Sequence, residues 1–377
     1  MPILNAGRRK MKWSRMMAAT IIGCTGLTTH AQPLDLPMSI WQPLFTLKAG
    51  FGYKDNLTLA HTATESSPFF ASGLEAFLLR LPKDGTEYTF FLSAEDRRYL
   101  SHTSVDHEDL ISAHAQLKHQ FGDAGEGSLA VEYAYQDQIE DVSVTETNLE
   151  AIRVRGNTLV ARPALKLNFP GQYWASLQLA PTRQWLAAPL DDFFEFGPGI
   201  TFGRTYGNQS EVALAYEPSY RNYDSDPQIS STGEAVPGTH RAFTRHDILL
   251  GWVHYWDPDR RWRSTTRLSY RINRDNGSGF FDYARFSFAE QLRFRTRVWD
   301  CSAQVRVSQY GYDVQEANPG SSEKRERTEI SAGLHFERSL TKSIRLVATY
   351  EFERTLSNIT LENYTANTVT GSLQWDF

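Results

Sequence analysis

The sequence predicts an all-β chain closed into an antiparallel, up-and-down barrel that crosses a membrane with its strands. Apolar and polar residues alternate along nearly every extended segment, the pattern of a strand with one greasy face. Short and long polar connections also alternate from end to end. Mean hydropathy is −0.45, and no apolar run reaches the ~20 residues a membrane helix needs. A barrel satisfies all three observations, because its inward residues are polar and dilute the apolar outer face.

From Pro43 onward the chain repeats a strand, a tight turn, a second strand and a longer loop. Short connections fall at 82–87, 122–127, 170–172, 207–209, 257–261, 296–297 and 339–343, rich in the Gly, Pro, Asn and Asp that make turns. Longer ones fall near 60–68, 101–108, 140–156, 186–192, 222–243, 273–282, 313–327 and 356–363. Together they predict sixteen strands with both ends on the short-turn side; fourteen is the alternative if the hairpin over 43–81 is misread.

The outward faces read directly from the pattern. Examples are Leu129/Val131/Tyr133/Tyr135, Leu159/Ala161/Pro163/Leu165/Leu167/Phe169, Tyr173/Ala175/Leu177/Leu179, Val212/Leu214/Tyr216, Phe286/Phe288/Leu292/Phe294, Ile330/Ala332/Leu334/Phe336 and Ile344/Leu346/Ala348/Tyr350/Phe352. Aromatic residues gather at strand ends, as at Trp174, Trp185, Trp252, Trp262 and Trp299, where an interfacial girdle would sit. Strands in a bilayer must satisfy every backbone group, so the first and last have to pair. A ring of sixteen is too wide for side chains to fill and encloses water unless loops enter it. Pro163, Pro181, Pro198 and Pro218 are expected at one height in consecutive strands. The favoured reading is an outer rim where pairing ends, and the other a weakened patch of wall.

Residues 1–31 read as a secretory signal: Arg8, Arg9, Lys10, Lys12 and Arg15 precede a short apolar run from Met16 to Leu27, and Thr29-His30-Ala31 offers a cut after Ala31. Ile21-Ile22-Gly23-Cys24 resembles a lipoprotein box and offers lipidation at Cys24 as a rival; a twin-arginine signal is discounted because nothing apolar follows Arg8-Arg9. A short periplasmic segment, 32–42, then leads into a barrel over 43–377. Cleavage removes five of the 39 Lys and Arg and none of the 44 Asp and Glu, moving the net charge from −5 to −10, which speaks against a nucleic-acid partner. Cys301 is then the sole thiol, so an intramolecular disulfide and a cysteine metal site are excluded.

The last strand carries Val369, Gly371, Leu373, Trp375 and Phe377 on one face and ends on the final aromatic. This resembles the signal by which the outer-membrane assembly machinery recognises its clients, although Gly371 lies six residues before the terminal Phe and the fuller form has glycine five before it. Ala49-Gly50-Phe51-Gly52-Tyr53-Lys54-Asp55-Asn56 is similar to the start of the first strand in putative β-barrel porins and, more weakly, in the barrel of surface lipoprotein assembly modifiers. The latter carry a helical-repeat domain that would not fit between residue 31 and the first strand. The resemblance implies a bacterial outer-membrane barrel in contact with lipid and lipopolysaccharide, assembled by that machinery, with a homo-oligomer an open possibility.

Inward positions carry the charge. Arg263, Arg267, Arg271, Arg285, Arg293, Arg295 and Arg306 would stack into a basic band, flanked by Glu132, Glu195, Glu211 and Glu217 on one side and Glu329, Glu337, Glu351 and Glu353 on the other. Opposed charge across water biases the passage of ions, and arginine suits carboxylates and phosphates; the same residues serve equally as structural pairs. The loop over 222–243 either folds inward as a constriction or stays in solvent. His102, Asp106, His107 and Asp109 share a loop that reads as a solvated polar segment before a metal site. No hydrolase or metalloprotease motif is present. The expectation is a porin-like channel for passive diffusion of small hydrophilic solutes, with no catalytic residue, cofactor or metal. The alternatives are an export barrel for exopolysaccharide or surface proteins, and a structural or adhesive barrel.

Overall fold

A computed structural model describes residues 40–147, 151–318, 320 and 322–377. The signal segment, the cut at Ala31, Cys24 and most of the 32–42 segment lie outside the described residues. The first strand, β1, runs Trp41–Lys54, so the barrel begins two residues before Pro43. There follow β2 (Ser67–Lys83), β3 (Thr86–Tyr99), β4 (His107–Gln120), β5 (Gly125–Asp141) and β6 (Ala151–Phe169). Two strands are carried in pieces, β7 (Tyr173–Leu179 with Thr182–Leu186) and β8 (Phe193–Phe196 with Pro198–Tyr206). The remainder are β9 (Ser210–Tyr223), β10 (Ala242–Tyr255), β11 (Trp262–Asp275), β12 (Tyr283–Arg295), β13 (Trp299–Glu316), β14 (Lys324–Ser339), β15 (Ile344–Ser357) and β16 (Tyr364–Asp376).

Each strand pairs antiparallel with the next, and β16 pairs with β1, so sixteen strands close into a ring. At the seam Thr46 lies opposite Asp376 and Lys54 opposite Thr368. The Thr46 hydroxyl donates to Asp376 Oδ1 at 2.7 Å, and the Phe377 amide donates to the Phe45 carbonyl at 2.9 Å. A Cβ at Gly50 would stand 2.3 Å from the Gly371 carbonyl oxygen, so the seam needs a residue without a side chain there. The hairpin of β1 and β2 is real, with Trp41 opposite Arg80 and Lys54 opposite Ser67, which removes the fourteen-strand alternative.

The outward faces are those the alternation predicts. Leu129, Leu165, Leu177, Leu214, Phe286, Leu334 and Leu346 are all exposed on the outer surface. Val369, Leu373 and Phe377 are exposed on β16, the last at 72 %. At about 25 cal/mol per Å2 such a surface would be untenable in water, and in a bilayer it needs no cover. Among the described residues, the apolar cores form at the long-loop end, inside the mouth. One gathers Leu57, Phe69, Tyr99 and Val105; a second Phe193, Tyr223, Ile229, Phe243 and Phe281; a third Val144, Tyr283, Tyr310 and Tyr312.

The proline row does not mark the end of pairing. The ladder breaks at Ala180-Pro181 and Gly197, yet Thr182–Leu186 pairs onward with Gly156–Val160 and Glu195 with Arg221. A proline removes one donor, and the neighbouring strands hold the wall shut around it.

Candidate functional site: the inner wall and the strap across it

Strand register puts every candidate lumen residue on the face opposite the exposed apolar side chains. Arg263 lies across from Arg293, Arg271 from Arg285, Arg267 from Ala289 and Arg306 from Ala289 on its other side. Arg295 lies across from Asp300, as does Glu337. Glu329 pairs with Ser308, Glu351 with Gly333, Glu217 with Asp247 and Glu211 with Val253. Along the inner faces of β11, β12 and β13, from Arg263 to Asn273, Tyr283 to Arg295 and Asp300 to Tyr312, seven arginines meet one acid, Asp300.

Like charges directly opposite one another destabilise a sheet. Two such pairs stand here, and neighbouring acids relieve half of each. Asp247 takes Arg271 Nε at 2.6 Å, and Asp300 takes Arg293 Nε at 2.7 Å. The other halves keep unmet donors: Arg263 Nε and Arg285 Nε are buried without a hydrogen-bond partner, and the Arg285 guanidinium lies 5.8 Å from the Tyr310 ring centre.

Much of the remaining inner-wall charge is paired. Glu195 accepts from Arg221 at 2.9 Å and from Arg245 at 3.2 Å. Glu132 accepts from Arg162 at 3.2 Å, Glu217 from Gln178 at 3.2 Å and Glu329 from the Tyr310 hydroxyl at 3.1 Å. Arg345 bridges Glu337 at 3.1 Å and Asp376 at 2.6 Å. Glu351 and Glu353 line a cavity with Lys54, Glu95, Arg97 and Glu108. Glu211 sits near the short-turn end, with its Oε1 buried and unbonded. Paired charge of this kind rigidifies the wall; Arg162, Arg327 and Arg345 also keep a buried nitrogen without a hydrogen bond, but each has an acid partner.

The segment that crosses the lumen is the β5–β6 connection, a shorter loop than 222–243. Ser143 is fully buried against β14: its carbonyl accepts from Arg325 Nη1 at 3.0 Å, its hydroxyl from Arg325 Nη2 at 3.2 Å, and Arg327 reaches the same hydroxyl. Arg325 is held in turn by Glu362 and Gln315, and Arg327 by Asp141 and Glu329. Val144 is 1 % exposed and packs on Tyr283, Tyr310 and Tyr312. In a ring of sixteen strands β13 is diametrically opposite β5, so the end of the β5–β6 hairpin beyond Asp137 lies across the mouth as a strap, with Asp141, Ser143 and Val144 at the far wall. Arg241, just before β10, ties the strap to a third point through the Thr145 carbonyl at 3.1 Å and Glu146 at 3.0 Å. The 222–243 loop turns inward only over its own wall, with a small hairpin of Gln228–Ile229 and Ala235–Val236 that seats Ile229 on Phe193, Phe243 and Phe281.

Arg241 Nη2 contacts Glu146 and Asp226 together, so one guanidinium serves two carboxyls. Burial pushes the Glu146 carboxyl up to about 7 from 4.5, against the opposing pull of Arg241 and with Asp226 adding to the rise. Asp226 is raised as well, first by burial and then by Asp191. A raised carboxyl favours the docked strap when protonated, so the contribution is complete below pH 4.5 and lost as pH rises through about 7. The expected outcome is a pore more conductive at pH 8 than at pH 5, with Glu146→Gln flattening most of that difference in single-channel recordings.

His107 lies near Asp106 at 2.8 Å and near Asp109 and Asp137 at 3.7 Å, with Arg153 among them. Among the described residues no group of His, Cys, Asp and Glu is arranged to hold a metal ion.

An apolar outer belt, a closed hydrogen-bonded ring and a charged interior settle the architecture. The chain is a transmembrane β-barrel of the bacterial outer-membrane type. No family model matches the sequence, and curated proteins give no match. Among solved structures it is similar to OccAB1 of Acinetobacter baumannii, at 9 % identity and a TM-score of 0.47, covering 89 % of this chain and 96 % of that one. It is also similar to OccK8 (OprE) of Pseudomonas aeruginosa, at 9 % identity and TM-score 0.47, covering 89 % and 98 %. A bacterial polysaccharide outer membrane secretin matches at 9 % identity and TM-score 0.44, covering 89 % and 98 %.

Proposed function

We propose that this barrel is a porin-like channel through which small hydrophilic solutes diffuse passively, with a preference for anions. The observation that carries the reading is the inner wall of β11 to β13, where seven inward arginines share a band that holds a single acid, Asp300. Guanidinium donors facing water lower the barrier for carboxylates and phosphates and raise it for cations. The strap sets the size limit, because it is pinned at both β14 and Arg241 and leaves the solute to pass beside it. A strap tied by buried arginine contacts also favours small permeants over an extended polymer.

Liposomes carrying the purified protein are expected to swell in small uncharged sugars, faster in small organic anions of the same size, and not in oligosaccharides. A protein that leaves liposomes impermeable to every solute in that series contradicts the reading.

A further inference from the structure

The strap parts the mouth into two openings. The arginine band of β11 to β13 borders one, and the arc that runs from β15 through β16 and β1 to β5 borders the other. This second arc holds a cavity against the foot of the strap, lined among others by Glu351 of β15, Ala366 and Thr368 of β16, Lys54 of β1, Leu110 of β4 and Ile139 of β5. Both fixed cations of the cavity lean on Glu108. Lys54 Nζ donates to its Oε1 at 2.8 Å, the Tyr99 hydroxyl to its Oε2 at 2.8 Å, and Arg97 Nη1 lies 3.8 Å from the same carboxylate.

Glu351 stands apart from that cluster. Across the ladder it neighbours Thr368, which neighbours Lys54 on its other side. The Glu351 carboxylate nevertheless makes no hydrogen bond or ion pair among the described residues, and Arg97 attracts it only from beyond ion-pair distance. Thr368 is 8 % exposed, and its hydroxyl also lacks a partner there. A carboxylate withdrawn from water and a buried hydroxyl both cost free energy until a donor meets them. Acceptors without a fixed donor suit a ligand that brings its own N–H groups together with positive charge. Leu110, Ile139 and Ala366 give the cavity apolar sides, which favour a short alkyl chain over a hydrated inorganic ion. No group of His, Cys, Asp and Glu among the described residues is arranged to hold a metal ion. We propose that this cavity binds the primary ammonium group of a small alkylamine, with Glu351 and Thr368 accepting its hydrogen bonds and Glu95 and Glu353 adding negative potential around it. The site lies across the strap from the arginine band and needs only a water-filled lumen, so it stands whether or not the pore prefers anions.

The test titrates the folded full chain in detergent with n-butylammonium chloride and reads binding by saturation-transfer NMR on the butyl protons, which requires no conductance. Saturable binding is expected. Glu351→Gln should weaken it about tenfold or more, as the loss of one charge-assisted hydrogen bond implies, and Thr368→Val should weaken it severalfold. Glu290→Gln, which removes the same charge from the outward face of β12 beside Thr266, should leave it unchanged. Tetramethylammonium, with no N–H to donate, should compete poorly. Heat-modifiable migration reports that each variant is a folded barrel. The proposal is overturned if the full chain shows no saturable binding, or if Glu351→Gln binds as tightly as the parent; should that variant not fold, the same outcome in Thr368→Val overturns it. Displacement of the amine by sodium at equal concentration would mark a diffuse counterion atmosphere and overturn it as well.

Discussion

Removing residues 142–147 is expected to raise the single-channel conductance severalfold and to admit solutes that the intact protein excludes. The strap is the only described segment that reaches from β5 to the opposite wall, and its hold rests on few contacts. Ser143 meets Arg325 and Arg327, Val144 meets three tyrosines, and Glu146 meets Arg241. The ring itself does not depend on these contacts, because β5 pairs with β4 over Glu126–Asp137 and with β6 along its whole length. Arg327→Ala should act in the same direction by a gentler route. It leaves Asp141 and Glu329 without a shared cation, and breaking a buried pair costs about 3–5 kcal/mol, here charged mainly to strap docking. Flickering openings of the larger size in Arg327→Ala would identify the strap as the limiting element. Unchanged conductance in the deletion would show that the solute path runs elsewhere.

Reversing Arg285 and Arg306 together to glutamate should turn an anion-selective pore into a cation-selective one, read as a change of sign in the reversal potential under a salt gradient. Both face the lumen across a band otherwise short of acids. Arg271 is the instructive contrast. Its guanidinium is held bidentate by Asp247, with Nε at 2.6 Å and Nη2 at 2.9 Å, and it is neutralised where it stands. Arg271→Glu sets two carboxylates together inside the wall and is expected to lower yield of folded barrel far more than it moves selectivity. Arg293 behaves as Arg271 does, because Asp300 holds it.

The strand faces were legible because the side-chain period of a strand is two and one face must tolerate lipid. Leu129, Leu177 and Phe286 could be assigned outward without coordinates, and the register then follows wherever a short turn joins two such faces. The arginine band was legible for the same reason: Arg263, Arg267 and Arg271 sit at steps of four within one alternation. Their partners were not, since Asp247 and Asp300 belong to neighbouring strands and become neighbours only once register is fixed. The strap was missed because loop length was taken as the guide to which loop enters the pore. The better signal was chemical: Val142 and Val144 are alternate apolar residues at the start of the connection, and Arg325 and Arg327 are two arginines on one face of a strand with more charge than Glu329 can satisfy. Proline position alone also misled, because a missing donor interrupts a ladder without ending it when pairing resumes four residues further on.

The most direct measurement is the accessibility of single cysteines placed one at a time from Leu346 to Phe352 on β15, in a Cys301→Ser chain inserted in lipid. A charged, water-soluble thiol reagent should react at Val347, Thr349 and Glu351 and change the conductance there, while Leu346, Ala348, Tyr350 and Phe352 stay silent. Reaction without a two-residue rhythm, or reaction at the outward positions, would contradict a sealed cylinder with water inside and lipid outside.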